Sequence, residues 1–539
     1  MAEITGSGFS PSTGIYKNTF SSPPKTNPPP LPLPHFLLSP LRHPSKPAFI
    51  DAASGESLSY SDLLSLTAAT ANALSASGVR RGDVVLLVSP NSIHYPALAL
   101  GIMTAGAVFL HGQPSPHPPG SLLSQIEDSR PVLVLTTADL RPKLESLTPR
   151  PTVLIDRLLS APIAPASLAP AAAIDQGDAA ALMYSSGTTG RSKGVVCTHR
   201  NLVSMAAVLR HAWGGGGGEE EIYLCVVPLF HMFGFSVFVC GAIAAGATVV
   251  VMQRYSLEGV LAAVEHRRVT RMPAVPPMVV QMVRNRHMAR DYELGSLREV
   301  ICSGAPLARE HMLRFAACYP SIVLSQCYGL TEGSGPLTLC DGLQGKVHAS
   351  IGRLIPFIEA KIVDVKSGES LPPGKPGELC VRGPPVMQGY LNNPEATSLA
   401  IDNQGWLHTG DLCYVDARGL FYVVGRIKEL IKYKAYQVAP AELEELLSTH
   451  PGIEDVAVIS HPNEEAGEIP MACVVRKAGF EMKQEDVTAF LEGKVAPYKK
   501  IRKVMFVEFI PRSPSGKIIR RLIKEKDVNH HRRPAISRI

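Results

Sequence analysis

Residues 179–194 read AAALMYSSGTTGRSKG: an apolar run that passes directly into a loop of glycines, serines and threonines closing on Lys193. The apolar half has the character of a buried strand. The loop offers backbone N–H groups and hydroxyls that can wrap phosphate oxygens, with Lys193 supplying positive charge. It is not a Walker A loop, because Lys193 is followed by Gly194 and not by Ser or Thr. A strand feeding such a loop is a unit of open α/β sheets, and the flanking sequence repeats the pattern. VVLLV (84–88), PVLVL (131–135), IYLCVV (222–227), ATVVVM (247–252) and REVICS (298–303) each precede a helical or Gly/Pro-punctuated segment. This alternation predicts an α/β fold whose large N-terminal domain is built on mainly parallel sheets.

The 539 residues are 45% hydrophobic and 19% charged, which excludes dominant disorder. A net charge of +6 carries no nucleic-acid signature. Residues 84–126 and 222–253 contain no Asp, Glu, Lys or Arg and are long enough for bilayer spans. Prolines, glycines and histidines break both runs, so no membrane span is expected. The ten cysteines include no CxxC pair and read as reduced, mostly buried thiols. No secretory signal is expected at the N-terminus. Residues 1–40 read as a Pro-rich leader, extended over 21–34, and GGGGG at 214–218 as a surface insertion. Residues 1–424 hold 63 charged residues and 425–539 hold 37, so a small, highly charged domain is expected to follow a large one. The expected division is a large domain over 41–424, a hinge at 425–428 and a small α+β lid with a tail over 429–539.

The loop resembles the phosphate loop of the adenylate-forming superfamily, which includes acyl-CoA synthetases and luciferases. QCYGLTE (326–332), WLHTGD (406–411), GRIKELIKYKAYQVAPAELE (425–444) and PRSPSGKIIRR (511–521) resemble its further motifs in the same order. HPSKPAFID, GELCVRGP and GYLNNPEAT fill the intervals, and KYKAYQVAPAELE and PRSPSGKI are most similar to the plant 4-coumarate:CoA ligase-like branch. The resemblance implies an acid–thiol ligase in which a carboxylic acid and ATP give acyl-AMP and pyrophosphate, after which CoA displaces AMP. It implies that Ser185, Ser186, Gly187, Thr188, Thr189 and Lys193 cradle phosphates and that Glu332 holds Mg²⁺. Gln326, Tyr328 and Thr331 would line the adenine and α-phosphate region, and Asp411 would hold the ribose beside Arg426. Lys428 belongs to the same nucleotide set. Lys517 would serve adenylation and Lys432 and Gln437 would serve from the opposite face of the lid, which implies a mobile lid turning about a hinge near Lys428. Arg254, Lys434 and Ala435 would meet CoA.

Departures from the branch pattern fall in the acyl region, where His231, Phe233, Val237, Ala305 and Cys327 would line the pocket. Phe233 and Val237 stand where coumarate-type enzymes usually carry Tyr and Ser. Cys327 and Ala435 replace glycines. The stretch CSGAPLARE is one residue shorter than usual and EGSGP one longer. The expected acid is therefore hydroxycinnamate-like, fatty or oxylipin-type, with the lost hydroxyls pointing toward apolar tails. The terminal Ser537-Arg538-Ile539 resembles the address read by the peroxisomal import receptor, which implies the peroxisome, with the cytoplasm as the alternative. An enzyme passing its acyl group to a carrier protein and an inactive ligand-binding relative are the competing readings. From 499 to 539 there are 13 basic and 3 acidic residues, so positive charge concentrates in the segment containing Lys517.

Overall fold

The structure is a computed structural model that describes residues 6–19, 28–39, 41, 43–112, 120–160, 167–168, 174–185, 192–213, 220–340, 349–434, 436–513 and 516–531. Two seven-stranded sheets form the platform. In the first, Ala179–Ser185, Val108–Gly112, Val84–Val88, Leu133–Thr136 and Thr152–Leu154 run parallel in that order, and Lys193–Thr198 pairs antiparallel with Ala179–Ser185. In the second, Val323–Gln326, Glu299–Cys302, Arg271–Ala274, Ile222–Cys225, Thr248–Val251 and Pro47–Asp51 are parallel neighbours. Strands covered on both faces need apolar side chains on both, which is why VVLLV and TVVV read as unbroken runs. Val85, Leu86 and Leu87 are all fully buried.

The described parts of the two charge-free stretches form short, mostly buried elements, including the fully buried helix Tyr95–Thr104. Among the described residues no helix is long and apolar enough to cross a membrane. Helix Tyr60–Ala76 starts at a capping box, with the Asp62 amide donating to Ser59 Oγ and the Ser59 amide to the Asp62 carboxylate. It packs against Gly101, where a Cβ would come within 2.5 Å of Thr70. Phe109 and Phe235 stack at 5.5 Å and couple the first sheet to the helical segment lying over the second. That segment includes a π-helix, Phe235–Ala242, a departure from regular geometry common beside functional sites.

A six-stranded antiparallel sheet adds Glu359–Val363, Gly377–Arg382, Leu407–Val415 and Phe421–Arg426. Its other edge corrects the leader reading. Phe9–Ser10 and Ile15–Tyr16 form a hairpin whose Tyr16 pairs with Ala360, and Leu33–Leu38 is a helix with Leu33 and Leu38 buried. Two-residue strands carry too little periodicity to register beside a proline-rich composition, and residues 21–27 of the proline run lie outside the described residues, as does GGGGG. Tyr16 is fully buried against Phe9 and Phe421 and donates its hydroxyl to the Leu371 carbonyl at 3.0 Å. Tyr16→Ala is expected to cost about 3–5 kcal/mol, the usual loss for a buried aromatic. A detached leader would give a change within about 0.5 kcal/mol, and denaturant unfolding separates the two.

The C-terminal domain has its own five-stranded sheet, with Ile431–Tyr433, Tyr436–Val438, Ile453–Asn463, Gly467–Arg476 and Lys503–Phe506. The large domain's apolar cluster includes Phe421 and Val423, and a separate cluster begins at Ile431. Between them lie the end of strand Phe421–Arg426 and the 3-10 turn Ile427–Glu429. The expected fold class holds: a mixed α/β N-terminal domain with parallel sheets and a separate α+β C-terminal domain.

Candidate active site

The site is organised by a β-bulge. Strand Gly377–Arg382 pairs Cys380 with His408 but Glu378 with Leu412, so the other strand accommodates Thr409, Gly410 and Asp411 within that interval. Gly410 takes φ +71°, a backbone state that a side chain opposes. The Glu378 carboxylate accepts the Gly410 N–H at 3.1 Å, and Thr409 Oγ1 accepts the Asp411 N–H at 3.1 Å while donating to the Leu379 carbonyl at 2.7 Å. Such a bulge re-aims a side chain out of the ladder. Here it aims Asp411, 4% exposed, at Tyr328 and Arg426. The Tyr328 hydroxyl donates to Asp411 Oδ2 at 2.6 Å and Arg426 Nε lies 3.0 Å from Oδ1. Arg426 is the register partner of Asp411 on the adjoining strand. Burial first and the Asp411 charge second push the Tyr328 phenol well up, so it stays protonated and donates.

Tyr328 begins a short strand in which Gly329 is forced, since a Cβ there would sit 2.2 Å from the Gly335 carbonyl oxygen. The 3-10 turn Thr331–Gly333 follows and presents Glu332. The Tyr390 hydroxyl donates to Glu332 Oε1 at 3.0 Å, and Lys193 Nζ lies 4.8 Å from the Tyr390 ring centroid. The lysine of the glycine-rich loop and the glutamate of the turn therefore share Tyr390. Ser185 ends the preceding strand with its hydroxyl buried and without a hydrogen-bond partner among the described residues. Ser186, Gly187, Thr188 and Thr189 lie outside the described residues.

From the C-terminal domain comes Lys517. Its loop is shaped by Ser513, whose Oγ accepts the Lys517 N–H at 3.1 Å, and by Arg512 donating to the Gly516 carbonyl at 3.1 Å. Gly516, at φ +81°, abuts Pro277 of the large domain. Lys517 is half-buried, and its ammonium is held below the ordinary lysine value by desolvation and then by Arg426, against the pull of Asp411, Glu332 and Glu429. His231, which accepts the Phe233 N–H at 3.3 Å, is pushed down to about 4 by burial and secondarily by the Lys517 charge. Five of the sequence-predicted residues, Glu332, Tyr328, Asp411, Arg426 and Lys517, thus form one cluster, with His231 within electrostatic reach of Lys517. The two domains are also tied by an ion pair between Arg284 and Glu454 and by the Arg309 N–H donating to Glu445 at 3.0 Å.

Lys432 and Gln437 face one another across a hairpin and are exposed, as are Lys434, Lys428 and Arg254, and Ala435 is outside the described residues. Gln326 is buried and turned inward, accepting the Leu307 N–H at 3.2 Å and donating toward Met312 sulfur at 3.3 Å. Thr331 is half-buried at the head of the turn. Phe233 and Val237 are buried, Cys327 is buried with its carbonyl accepting the Ser303 hydroxyl, and Ala305 is half-buried. Sequence reasoning missed Tyr390 and Glu378, which sit inside the quoted GYLNNPEAT and GELCVRGP, and His111, one of three histidines in a charge-free run. His111 stacks on Phe230 at 6.3 Å and is pushed down to about 3 by burial and then by His231.

His111, His231 and His199, the last held to about 4 mainly by burial, are neutral at pH 7. His199 Nδ1 accepts the Leu33 N–H, which requires the neutral ring. Their folded values lie below the ordinary 6.5, so the unfolded chain binds more protons between pH 6.5 and about 4. Stability is expected to fall as pH drops through that window, by up to about 1.4 kcal/mol per pH unit for each proton. Denaturation midpoints at pH 7, 6 and 5 measure it, and a flat profile would contradict the neutral assignments.

Chemically, the cluster combines a carboxylate able to accept two hydroxyls, an arginine, two lysines from different domains and a hard-oxygen glutamate. That set suits a nucleotide with its ribose at Asp411 and its phosphates toward Lys193, Lys517 and Glu332. The AMP-binding enzyme family matches residues 38–391, and the AMP-binding enzyme C-terminal domain matches residues 442–517. A 4-coumarate–CoA ligase-like protein of Oryza sativa subsp. japonica, number 8 of its series, is 49% identical, with 96% of each chain covered. Peroxisomal OPC-8:0-CoA ligase 1 of Arabidopsis thaliana is 41% identical over 97% of this chain and 98% of its own. Among solved structures, ATP-bound MatB from Rhodopseudomonas palustris superposes with a TM-score of 0.85 at 26% identity, covering 93% of this chain and all of that one.

Proposed function

This chain belongs to the AMP-binding enzyme family, and from that premise we propose that it is a carboxylate:CoA ligase working by the two-step adenylate route. The observation that carries the reading is Lys517 of the C-terminal domain set against Asp411, Arg426 and Glu332 of the large domain. In the first step a carboxylate oxygen of the acid attacks the α-phosphate of ATP, the bond to pyrophosphate breaks, and acyl-AMP forms. Negative charge grows on the α-phosphate, and Lys517 stands where it is neutralised. Asp411 would accept the ribose hydroxyls, with Arg426 fixing the carboxylate orientation. Lys193 would meet the departing phosphates. Glu332, a hard carboxylate beside that lysine, fits a Mg²⁺ held mostly by phosphate oxygens and water, and the ion would neutralise polyphosphate charge.

In the second step the CoA thiol attacks the acyl carbonyl and AMP leaves with the phosphate oxygen. Lys432, Gln437 and Lys434 are exposed on a hairpin of the lid. Their participation needs the small domain to turn about 425–428, exchanging Lys517 for the 432–437 hairpin. Arg254 and Ala435 would then meet CoA.

For the acid, Phe233 at 9% and Val237 at 0% exposure favour an apolar tail over a phenolic ring needing hydroxyl partners. A fatty or oxylipin-type acid is the first choice, in keeping with the relative named as an OPC-8:0-CoA ligase. Thioester formation with CoA as sole acceptor, measured for octanoate, an oxylipin-type cyclic acid, cinnamate and 4-coumarate, tests this. The highest kcat/KM is expected for one of the first two. Val237→Ser places a hydroxyl in a fully buried apolar position, costing about 1–3 kcal/mol when unpaired, and should lower kcat/KM for octanoate about tenfold or more while sparing 4-coumarate. A wild-type preference for 4-coumarate would refute the apolar assignment. The peroxisome is the proposed compartment, supported by the same relative's name and by Ser537-Arg538-Ile539, which lie outside the described residues. A tag fused after Ile539 should leave the protein in the cytosol.

A further inference from the structure

One side-chain cluster plays no part in the chemistry above. Glu378 and Cys380 are two residues apart on strand Gly377–Arg382 and so share a face, and His408 is the register partner of Cys380 on the next strand. One donor atom from each lies within 4.8 Å of the other two. His408 Nδ1 is 2.9 Å from Glu378 Oε2 and 3.4 Å from Cys380 Sγ. That geometry poses a problem for hydrogen bonding alone. Toward the carboxylate Nδ1 must carry a proton and donate, whereas toward a thiol S–H it must be bare and accept. It can serve only one neighbour well, and Cys380 is 1% exposed, so water cannot readily serve the other. A cation among the three atoms satisfies all of them at once.

We propose that Glu378, Cys380 and His408 form a binding site for a soft divalent cation of the zinc class, with water as fourth ligand. Zinc bonds of about 2.0 Å to nitrogen or oxygen and about 2.3 Å to sulfur put tetrahedral donors about 3.3–3.6 Å apart, so the two histidine spacings need only a slight opening while the carboxylate and the sulfur start within 4.8 Å of each other. On binding, the Cys380 S–H bond breaks, its proton passes to solvent and the thiolate bonds the metal. Dication, thiolate and carboxylate then sum to zero, which suits a largely buried place. The thiolate selects zinc-class ions over Mg²⁺, separating this site from Glu332. Asp402 Oδ2 lies 3.9 Å from His408 Nε2, on the side where a metal-bound histidine keeps a carboxylate. The other Glu378 oxygen holds the Gly410 N–H, so an occupied site would brace the bulge that aims Asp411.

Cobalt is the probe. Full-length protein stripped with chelator and titrated with Co²⁺ should bind one equivalent with a near-ultraviolet thiolate-to-cobalt charge-transfer band, discharged by Zn²⁺. Cys380→Ser should lose the band, and His408→Ala, which keeps all ten cysteines, should bind at least about tenfold more weakly. Absence of the band, its persistence in Cys380→Ser, or unchanged affinity in His408→Ala would each overturn the proposal. Should Cys380→Ser not fold, the cobalt affinity of His408→Ala decides alone.

Discussion

Replacing Lys517 by alanine is expected to lower acid-dependent ATP–pyrophosphate exchange by about 10²–10³-fold, the usual effect of removing one donor from a preorganised site of developing charge. Conversion of pre-formed acyl-AMP and CoA to thioester should stay within a few-fold of wild type, because that step would use the opposite face of the lid. Folding should not suffer. Burial and the neighbouring Arg426 both disfavour the Lys517 ammonium, so its removal takes away a strained charge and leaves the melting temperature unchanged or raised. Equal losses in both half-reactions would mean that Lys517 does not divide them.

The second large effect is expected at Asp411. Its carboxylate is almost wholly buried, receives the Tyr328 hydroxyl at 2.6 Å and pairs with Arg426 at 3.0 Å. Asp411→Asn keeps the shape but removes the charge opposite Arg426 and one of the two acceptor oxygens. Breaking a buried pair costs about 3–5 kcal/mol, and the Arg426 side chain is 35% exposed, so screening brings the expected loss of stability to about 2 kcal/mol. Nucleotide affinity should fall further, by about 100-fold, because two ribose hydroxyls lose an ionised acceptor. Equilibrium AMP binding and thermal unfolding measure the two effects separately. Tyr328→Phe is the control: it removes a donor to Asp411 but leaves the charge pair, and should weaken AMP binding by less than tenfold. An Asp411→Asn protein with wild-type AMP affinity would remove Asp411 from the ribose site.

What was legible in the sequence follows from what each feature depends on. Strands such as Val84–Val88 announce themselves because both faces are buried and every residue must be apolar. Asp411, Glu332 and Lys517 could be singled out because each sits in a short motif that resembles one of the family, and the structure brings the three together where Gly410 and Gly329 shape the backbone. The N-terminal hairpin was not readable, since its stability comes from Tyr16 docking on residues more than 340 positions away. Nor was the inward turn of Gln326, which depends on Leu307 and Met312 brought in by the fold. The π-helix Phe235–Ala242 is a hydrogen-bond register within an all-apolar run, and periodicity cannot separate it from a regular helix there. Lys432, Lys434 and Gln437, exposed and with no contact to Asp411, Glu332 or Lys517 among the described interactions, illustrate a different limit: a sequence records every conformer's contacts at once, while a single conformation displays one set.

The most direct test of the central claim is nucleotide product analysis with purified protein, Mg²⁺, ATP and octanoate, before and after CoA is added. Without CoA, label from pyrophosphate should enter ATP only when the acid is present. With CoA, one AMP and one pyrophosphate should appear for each thioester. Formation of ADP and phosphate, or exchange that proceeds without any acid, would contradict the adenylate route.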